Sequence, residues 1–479
     1  MFPPYGQRVI ELQEIDALLQ RIKRVHFIGI GGSGMCPLAE ILHAEGYALS
    51  GSDNNEGDTL DRIRSLGIPV FMGQRAENIE GAEMIVYTAA LLPDNPELVA
   101  AKASGIPTFE RSKLFGAITR MYPNCIAVCG THGKTTTTSM LTQILLQADA
   151  DPTCVIGGKL PRIGSNGRVG KSETMVCEAC EFVDTFLDLS PDVSVFLNID
   201  EDHLDYFKTV ENLKASFTKF ADLTTRTLIY NGDDARTLDA LSRAKDGRKR
   251  VTFGLGETCD YRAVNIVIEH AFPVFDVLYE GQNLGTVRLS VPGAHNVYNA
   301  LAAIAAALEN GVDIQTCIDA LAEFRGAGRR FEMLGTCRGV TIADDYAHHP
   351  KEIEVTLTAA KAMDYKRVIA VFQPFTYSRT AMLLSEFAEA LSIADKIVMT
   401  EIMGSRERNT YGVHTAQLAA KIPGSVWFAT FDEVADHIVA TAEPGDLVIT
   451  LGCGDIYKAA KLMIQKYKAM EDDKFETNT

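Results

Sequence analysis

The sequence predicts an α/β protein built as three consecutive blocks. Three observations point there. The chain has 479 residues, and at roughly 100–200 residues per domain that length suggests three domains. Short apolar strand candidates alternate with helical stretches, which means βαβ units and mainly parallel sheets. A glycine-rich turn between strand and helix occurs twice, at Gly29–Gly34 and at Gly130–Lys134.

The first block opens with a β-rich strand at Arg24–Ile28, the turn Gly29–Gly34 and a helix at Cys36–Glu45. A second strand is expected at Tyr47–Ser50, leading into Gly51-Ser52-Asp53, and a third at Met84–Tyr87 before Thr88-Ala89. The block ends near Tyr122-Pro123. The second starts with an apolar strand, Cys125–Cys129, a loop and a helix over Thr135–Gln147. Strands at Thr174–Glu178 and Val193–Asn198 follow, then Val291-Pro292-Gly293 and an Ala/Leu-rich helix, Asn296–Glu309. Phe324–Phe331, with two Gly and three Arg, reads as the exit. The third block predicts a strand at Thr341–Ala343, a turn at Asp344–Pro350 and a helix at Lys351–Ala362. Further strands are expected at Arg367–Phe372, Lys396–Met399 and Leu447–Leu451. The last dozen residues read as a frayed tail.

Composition narrows the function classes. Hydrophobic residues make up 46% and charged residues 23%, enough for a large core. Net charge is −17, from 46 basic and 63 acidic residues. A nucleic-acid binder needs a basic footprint, so none is expected. Met1–Arg8 lacks the charged start and apolar run of a secretion signal. No stretch reaches about 18 uninterrupted apolar residues, so no membrane span is expected. Ten cysteines in so long a chain form no disulfide scaffold and suggest a reducing, cytoplasmic setting. Cys177 and Cys180 spell CxxC without a partner pair, a weak metal or redox signal.

Gly29-Ile30-Gly31-Gly32-Ser33-Gly34 matches G-x-G-x-x-G, with Asp53 downstream at the end of the second strand. Glycines let the backbone approach a pyrophosphate, and the acid suits ribose hydroxyls. That geometry fits a nicotinamide dinucleotide and UDP alike. The second motif, Val128-Cys129-Gly130-Thr131-His132-Gly133-Lys134-Thr135-Thr136, resembles a phosphate loop whose first glycine is replaced by Val128. Lys134 can reach outer phosphates, and the Thr135 hydroxyl can bind Mg²⁺. A dehydrogenase has no use for this second phosphate site, so ATP is the expected nucleotide. A third cluster is acidic: Glu178 ends one strand, and Asn198-Ile199-Asp200-Glu201-Asp202-His203-Leu204-Asp205 follows another. In a parallel sheet both strand ends meet the phosphate loop, where a carboxylate and an imidazole can hold cations.

GTHGKTTT, NIDEDHLD, PGAHNVYNA and FRGAGRRF together resemble the Mur ligase family. HFIGIGGSGM, DDYAHHP and FQP with YSRT resemble the branch that joins L-alanine to UDP-N-acetylmuramate. The likeness runs from His26 to Asp455. It implies a Rossmann-like UDP-sugar domain (1–122), a P-loop ATPase domain (123–330) and a Rossmann-like amino-acid domain (331–479). It implies amide formation through an acyl phosphate in peptidoglycan precursor synthesis, with ATP and Mg²⁺. Oligomeric state stays open between monomer and homodimer.

Carried over motif by motif, Lys134 stabilises the transferring phosphate. Thr135 and Glu178 bind one Mg²⁺, and His203 helps to hold a second. Gly130, Thr131, His132, Gly133 and Thr136 complete the phosphate loop. His295, Asn296 and Asn299 meet adenine, while Arg330 and Asp345 contact the nucleotide. Gly29, Gly31, Gly32, Ser33, Gly34, Met35, Ser52, Asp53, Thr88 and Ala89 form the UDP-sugar site. His348 and Arg379 hold the amino acid. Cys180 stands where relatives commonly have Asp, and Phe375-Thr376 where many have His-Arg. Several members carry a carbamylated lysine about fourteen residues after the motif histidine; from His203 that position is Phe217, with Lys214 and Lys219 nearby.

Overall fold

The computed structural model describes residues 13–405 and 407–476, with side chains left out at Asp205 and beyond 470. Met1–Arg8, read above as no secretion signal, lies outside them. The chain forms two compact units. One comprises Met1–Val264, Asp276–Val287 and Tyr298–Leu321; the other comprises Asn265–Phe275, Arg288–Val297 and Ala322–Thr479.

The larger unit begins with five strands: β1 (Arg24–Ile28), β2 (Ala48–Asp53), β3 (Val70–Met72), β4 (Met84–Tyr87) and β5 (Thr108–Glu110). Their order is β3-β2-β1-β4-β5, and every pairing is parallel. The chain reverses direction of travel across the sheet between β1 and β4, where open α/β sheets bind ligands. β2 runs to Asp53 instead of ending at Ser50, because β3 pairs with Gly51, Ser52 and Asp53.

The second sheet contains β6 (Asn124–Cys129), β7 (Thr153–Leu160), β8 (Ser165–Arg168), β9 (Thr174–Glu178), β10 (Val193–Phe196), β11 (Thr227–Asn231) and β12 (Lys249–Gly254). β13 (Tyr261–Glu269), β14 (Phe272–Tyr279) and β15 (Gln282–Arg288) extend it to ten strands. β6 lies between β10 and β9, parallel to both. The apolar run Cys125–Cys129 is wholly buried, as a central parallel strand requires. β10 stops at Phe196, so Leu197 and Asn198 already belong to the following loop. One apolar core joins these first two sheets, from Ile15 to Ala244.

The smaller unit holds β16 (Glu332–Cys337), β17 (Val340–Asp345), β18 (Arg367–Phe372), β19 (Lys396–Thr400), β20 (Val426–Phe428) and β21 (Asp446–Leu451), ordered β16-β17-β21-β18-β19-β20. Only β16 is antiparallel to its neighbour. Val368, Ala370 and Phe372 face one core layer, Ile369 and Val371 the other. That alternation buries both faces. Asp344 and Asp345 belong to β17 and not to the expected turn, because Thr450 and Leu451 of β21 pair with them. The expected frayed tail is instead a helix, Tyr457–Glu476, anchored by buried Met463 and Tyr467. Residues 477–479 lie outside the described range. No described helix is long and apolar enough to cross a membrane, and all ten cysteines are free.

Candidate active site

The phosphate loop leaves β6 and enters the helix Lys134–Gln147. Gly133 precedes that helix at φ 86°, a left-handed position that suits glycine. The loop is clamped by the segment after β10. Thr131 donates its N–H to the Asn198 carbonyl (3.0 Å), and Asp200 donates its N–H to Thr131 Oγ1 (2.9 Å). The Asn198 side chain accepts from His132 N (2.8 Å) and donates to His132 O (3.0 Å). His132 Nε2 lies 3.6 Å from Asp200 Oδ2.

Lys134 curls back over this loop. Its Nζ donates to the carbonyls of Gly130 (2.6 Å) and Thr131 (3.0 Å), and to Glu181 Oε2 (2.9 Å). Glu181 is 1% exposed. Burial pulls the Lys134 pKa down, but the Glu181 carboxylate outweighs it and holds the ammonium above the usual lysine value. His203, in left-handed backbone at φ 55°, places Nε2 4.0 Å from Glu181 Oε1, and its ring packs tilted against Phe182 with centroids 4.7 Å apart. Glu181 thus joins Lys134 to His203. Sequence reasoning missed it; an acid three residues beyond Glu178 was the available signal.

Glu178 ends β9 beside the loop. Its Oε2 accepts from Thr135 Oγ1 (2.8 Å) and from Gly157 N of β7 (2.9 Å). A Cβ at Gly157 would fall 2.5 Å from Glu178 Oε2 and 2.8 Å from Thr135 Oγ1. The missing side chain leaves a cradle lined by a hydroxyl and a carboxylate, the hard oxygen donors that Mg²⁺ takes. Thr136 is half-buried on the same helix. Asn299 accepts from Thr137 Oγ1 (3.3 Å), and its Oδ1 packs against Gly133.

On the first sheet, the glycine turn is held by its neighbours. Gly29 and Ile30 donate to Ser52 O, Gly32 donates to Gly29 O, and Gly31 donates to Asp53 Oδ2 (2.9 Å). Asp53 Oδ1 accepts from Asn54 and Asn55, so the expected ribose-binding acid braces the turn. Thr88 packs against Gly29, and Ala89 is exposed. Ser33 is exposed, and its carbonyl accepts from Asn166 Nδ2 of β8 (2.6 Å). Two candidates turn inward. Met35 is 1% exposed in the core, and Ser52 donates its hydroxyl to buried Glu97 (2.7 Å). Glu97 also meets His26 Nε2 (2.7 Å), a polar network that braces the strands beneath the turn.

In the smaller unit, His295 is exposed at the start of the helix His295–Leu308, and buried Asn296 donates to Pro292 O (2.7 Å). Arg330 lies over the Tyr346 ring at 4.9 Å. Asp345 accepts from Phe331 N and Ala347 N, both 2.7 Å; burial, opposed by Arg330, pushes its carboxyl up to about 6. Arg379 sits on the helix Tyr377–Met382, whose first turn is capped by Thr376. One departure from the family pattern therefore supports the helix that carries Arg379.

His348 places Nδ1 3.2 Å from Glu352 Oε2. Burial pulls its pKa down, but Glu352 and the Cys453 side chain outweigh it and raise the imidazolium to about 10. The folded value exceeds the ordinary 6.5, so this charge adds stability present in full below 6.5 and lost as pH rises through about 10. The stability difference between wild type and His348→Gln is expected to shrink steadily over that window. The wild-type ring should show no NMR titration below about pH 8.

Three family profiles match the chain: "Mur ligase family, catalytic domain" at residues 24–123, "Mur ligase middle domain" at 128–307 and "Mur ligase, glutamate ligase domain" at 329–454. A UDP-N-acetylmuramate–L-alanine ligase of Caldanaerobacter subterraneus subsp. tengcongensis is 44% identical over 95% of this chain and 100% of its own length. A protein of the same name from Agathobacter rectalis is also 44% identical, over 92% and 98%. The crystal structure of the UDP-N-acetylmuramate–alanine ligase from Thermotoga maritima superposes with a TM-score of 0.80 at 29% identity, covering 93% of this chain and 99% of that one. A phosphate loop with its lysine and carboxylates, a glycine turn on a separate parallel sheet, and these matches along nearly the whole length agree: the chain belongs to the Mur ligase family.

Proposed function

We propose that this protein is an ATP-dependent ligase that joins L-alanine to UDP-N-acetylmuramate in peptidoglycan precursor synthesis. The observation that carries the reading is its likeness, over 95% of its length, to a relative of that name. The site supports it chemically. The family is ATP-dependent, and Lys134 stands where a transferring phosphate needs a cation. Thr135 and Glu178 are the residues that would hold one Mg²⁺, and His203 would help to hold a second. These ions would neutralise charge building on the phosphates. The lactyl carboxylate of the sugar takes the phosphate, the amino group then attacks the acyl carbon, and phosphate leaves.

His348, kept cationic, and Arg379 hold the carboxylate of the incoming amino acid. His295, Asn296 and Asn299 would meet the adenine, and Arg330 and Asp345 would contact the nucleotide. We assign 1–122 to the UDP-sugar, 123–330 to ATP and 331–479 to the amino acid, and place the enzyme in the cytoplasm. Phosphate release from ATP should require both UDP-N-acetylmuramate and L-alanine. Glycine and L-serine should be slow substitutes, since a small pocket discriminates poorly by about one methylene. A preference for D-glutamate or a diamino acid would identify another branch of the family.

No carbamylated lysine takes part in this reading. Phe217 is fully buried, its ring 5.3 Å from Phe186. Lys214 is bound to Asp239 (2.7 Å) and Glu211 (2.5 Å), and these bonds raise its pKa. Carbamylation needs the neutral amine, so both partners oppose it. Turnover is expected to be indifferent to bicarbonate and to removal of CO₂. A rate restored by added bicarbonate would count against this.

A further inference from the structure

The cation of the phosphate loop is already engaged by the protein. Glu181 follows Glu178, which ends β9 beside the loop, and its side chain is buried. Both of its carboxylate oxygens accept from Lys134 Nζ, at 2.9 and 3.1 Å. The same ammonium donates to the carbonyls of Gly130 (2.6 Å) and Thr131 (3.0 Å). An ammonium carries three protons, and these three partners use them all. In this arrangement Lys134 has no N–H left for a phosphate.

The segment that carries Glu181 is built to stay in place. Val183 and Asp184 hold left-handed backbone at φ 56° and 61°, which a β-branched residue adopts only under strain. The Asp184 carboxylate accepts from Tyr206 Oη (2.8 Å) and from the Ser216 hydroxyl, which ties the segment to the helix Val210–Leu223. Among the described residues, Lys134 is the one hydrogen-bond donor to the Glu181 carboxylate, and His203 Nε2 stands next at 4.0 Å. A carboxylate buried this deeply needs a positive charge beside it. If Lys134 turns to a phosphate, another cation must come to Glu181 in the same step. His203, assigned above to a second Mg²⁺, marks where that ion would arrive.

We propose that Glu181 is a positioning residue that holds Lys134 in the empty loop and releases it to ATP only when Mg²⁺ enters with the nucleotide. The inference rests on the ATP-dependent ligase reading and deepens it. ATP without a metal ion meets a lysine already paired and a carboxylate of its own sign, so it binds poorly. With the ion, Glu181 keeps a cationic neighbour and Lys134 is free to turn to the phosphates. By linkage, ion and nucleotide strengthen each other's binding by the same factor.

The test measures ATP binding by calorimetry, once with Mg²⁺ and once with a chelator, in the absence of the other substrates. In the wild type, Mg²⁺ is expected to tighten ATP roughly 5- to 150-fold, the usual range for coupled sites. Glu181→Gln removes the carboxylate charge and frees the lysine, so metal-free ATP should bind about 10-fold tighter than in the wild type. The Mg²⁺ effect then shrinks, while kcat falls because Lys134 is no longer placed. Glu181→Asp keeps the charge and should keep the Mg²⁺ effect. A merely structural role would weaken ATP in both conditions. Unchanged or weaker metal-free binding in folded Glu181→Gln would overturn the proposal and leave the ligase reading standing. Should that variant not fold, Lys134→Gln gives a second reading: it should weaken ATP with Mg²⁺ and leave metal-free ATP as in the wild type. Equal weakening in both conditions would overturn the proposal. A wild type that binds no ATP even with Mg²⁺ would remove the ligase reading as well.

Discussion

Lys134→Ala is expected to lower turnover by about 10²- to 10³-fold, the scale seen when a preorganised charge-stabilising group is removed. It should also destabilise the protein, and the two effects have different causes. The ammonium bonds the carbonyls of Gly130 and Thr131 and the buried Glu181 carboxylate. Removing it strands Glu181, and breaking a buried pair from one side costs about 3 kcal/mol or more. A second variant separates the effects. In Lys134→Ala combined with Glu181→Gln the stranded charge is gone, so most of the thermal stability should return while turnover stays lost. Phosphate release and thermal melting of the single and double variants check this together. Near-normal turnover in a folded Lys134→Ala protein would remove Lys134 from the chemistry. Failure of the double variant to regain stability would show that the carbonyl contacts, and not the carboxylate, carry the structural effect.

Gly157→Ala is expected to disable the enzyme through one methyl group. Gly157 does not lie in left-handed backbone, so an alanine meets no conformational strain there; the obstacle is space. The new Cβ would lie 2.5 Å from Glu178 Oε2 and 2.8 Å from Thr135 Oγ1, so one or both must move. These are the two oxygens assigned to Mg²⁺. Displacing reacting or metal-holding groups by about 1 Å costs roughly 100-fold in rate. The loss should appear both in maximal turnover and as a higher Mg²⁺ concentration for half-activation. Titrating turnover with Mg²⁺ in wild type and variant measures it, with melting temperature as the control for folding. A variant with unchanged Mg²⁺ dependence would place the ion elsewhere.

The sequence by itself determined the local features. The strand–turn–helix units at Gly29–Gly34 and Gly130–Lys134, and the strands Arg24–Ile28, Met84–Tyr87, Thr174–Glu178 and Arg367–Phe372, were legible because apolar periodicity and glycine turns act over a few residues. The same holds for the placing of Glu178 next to the phosphate loop, since parallel strands bring their carboxyl ends to one edge. Strand ends were less legible. The second strand was expected to stop at Ser50 and Asp345 to lie in a turn, but the partner strands β3 and β21 extend the pairing to Asp53 and Asp345. The tertiary structure alone decided what each side chain touches. It set Glu181 against Lys134, Asn198 against the loop, Gly157 against Glu178 and Arg111 against Gly34. It also turned Met35 and Ser52 into the interior. The physical reason is strand order. In β10-β6-β9-β7 and β1-β4-β5 the neighbours in space are distant in sequence, so contacts across the sheet depend on pairing that no local preference encodes.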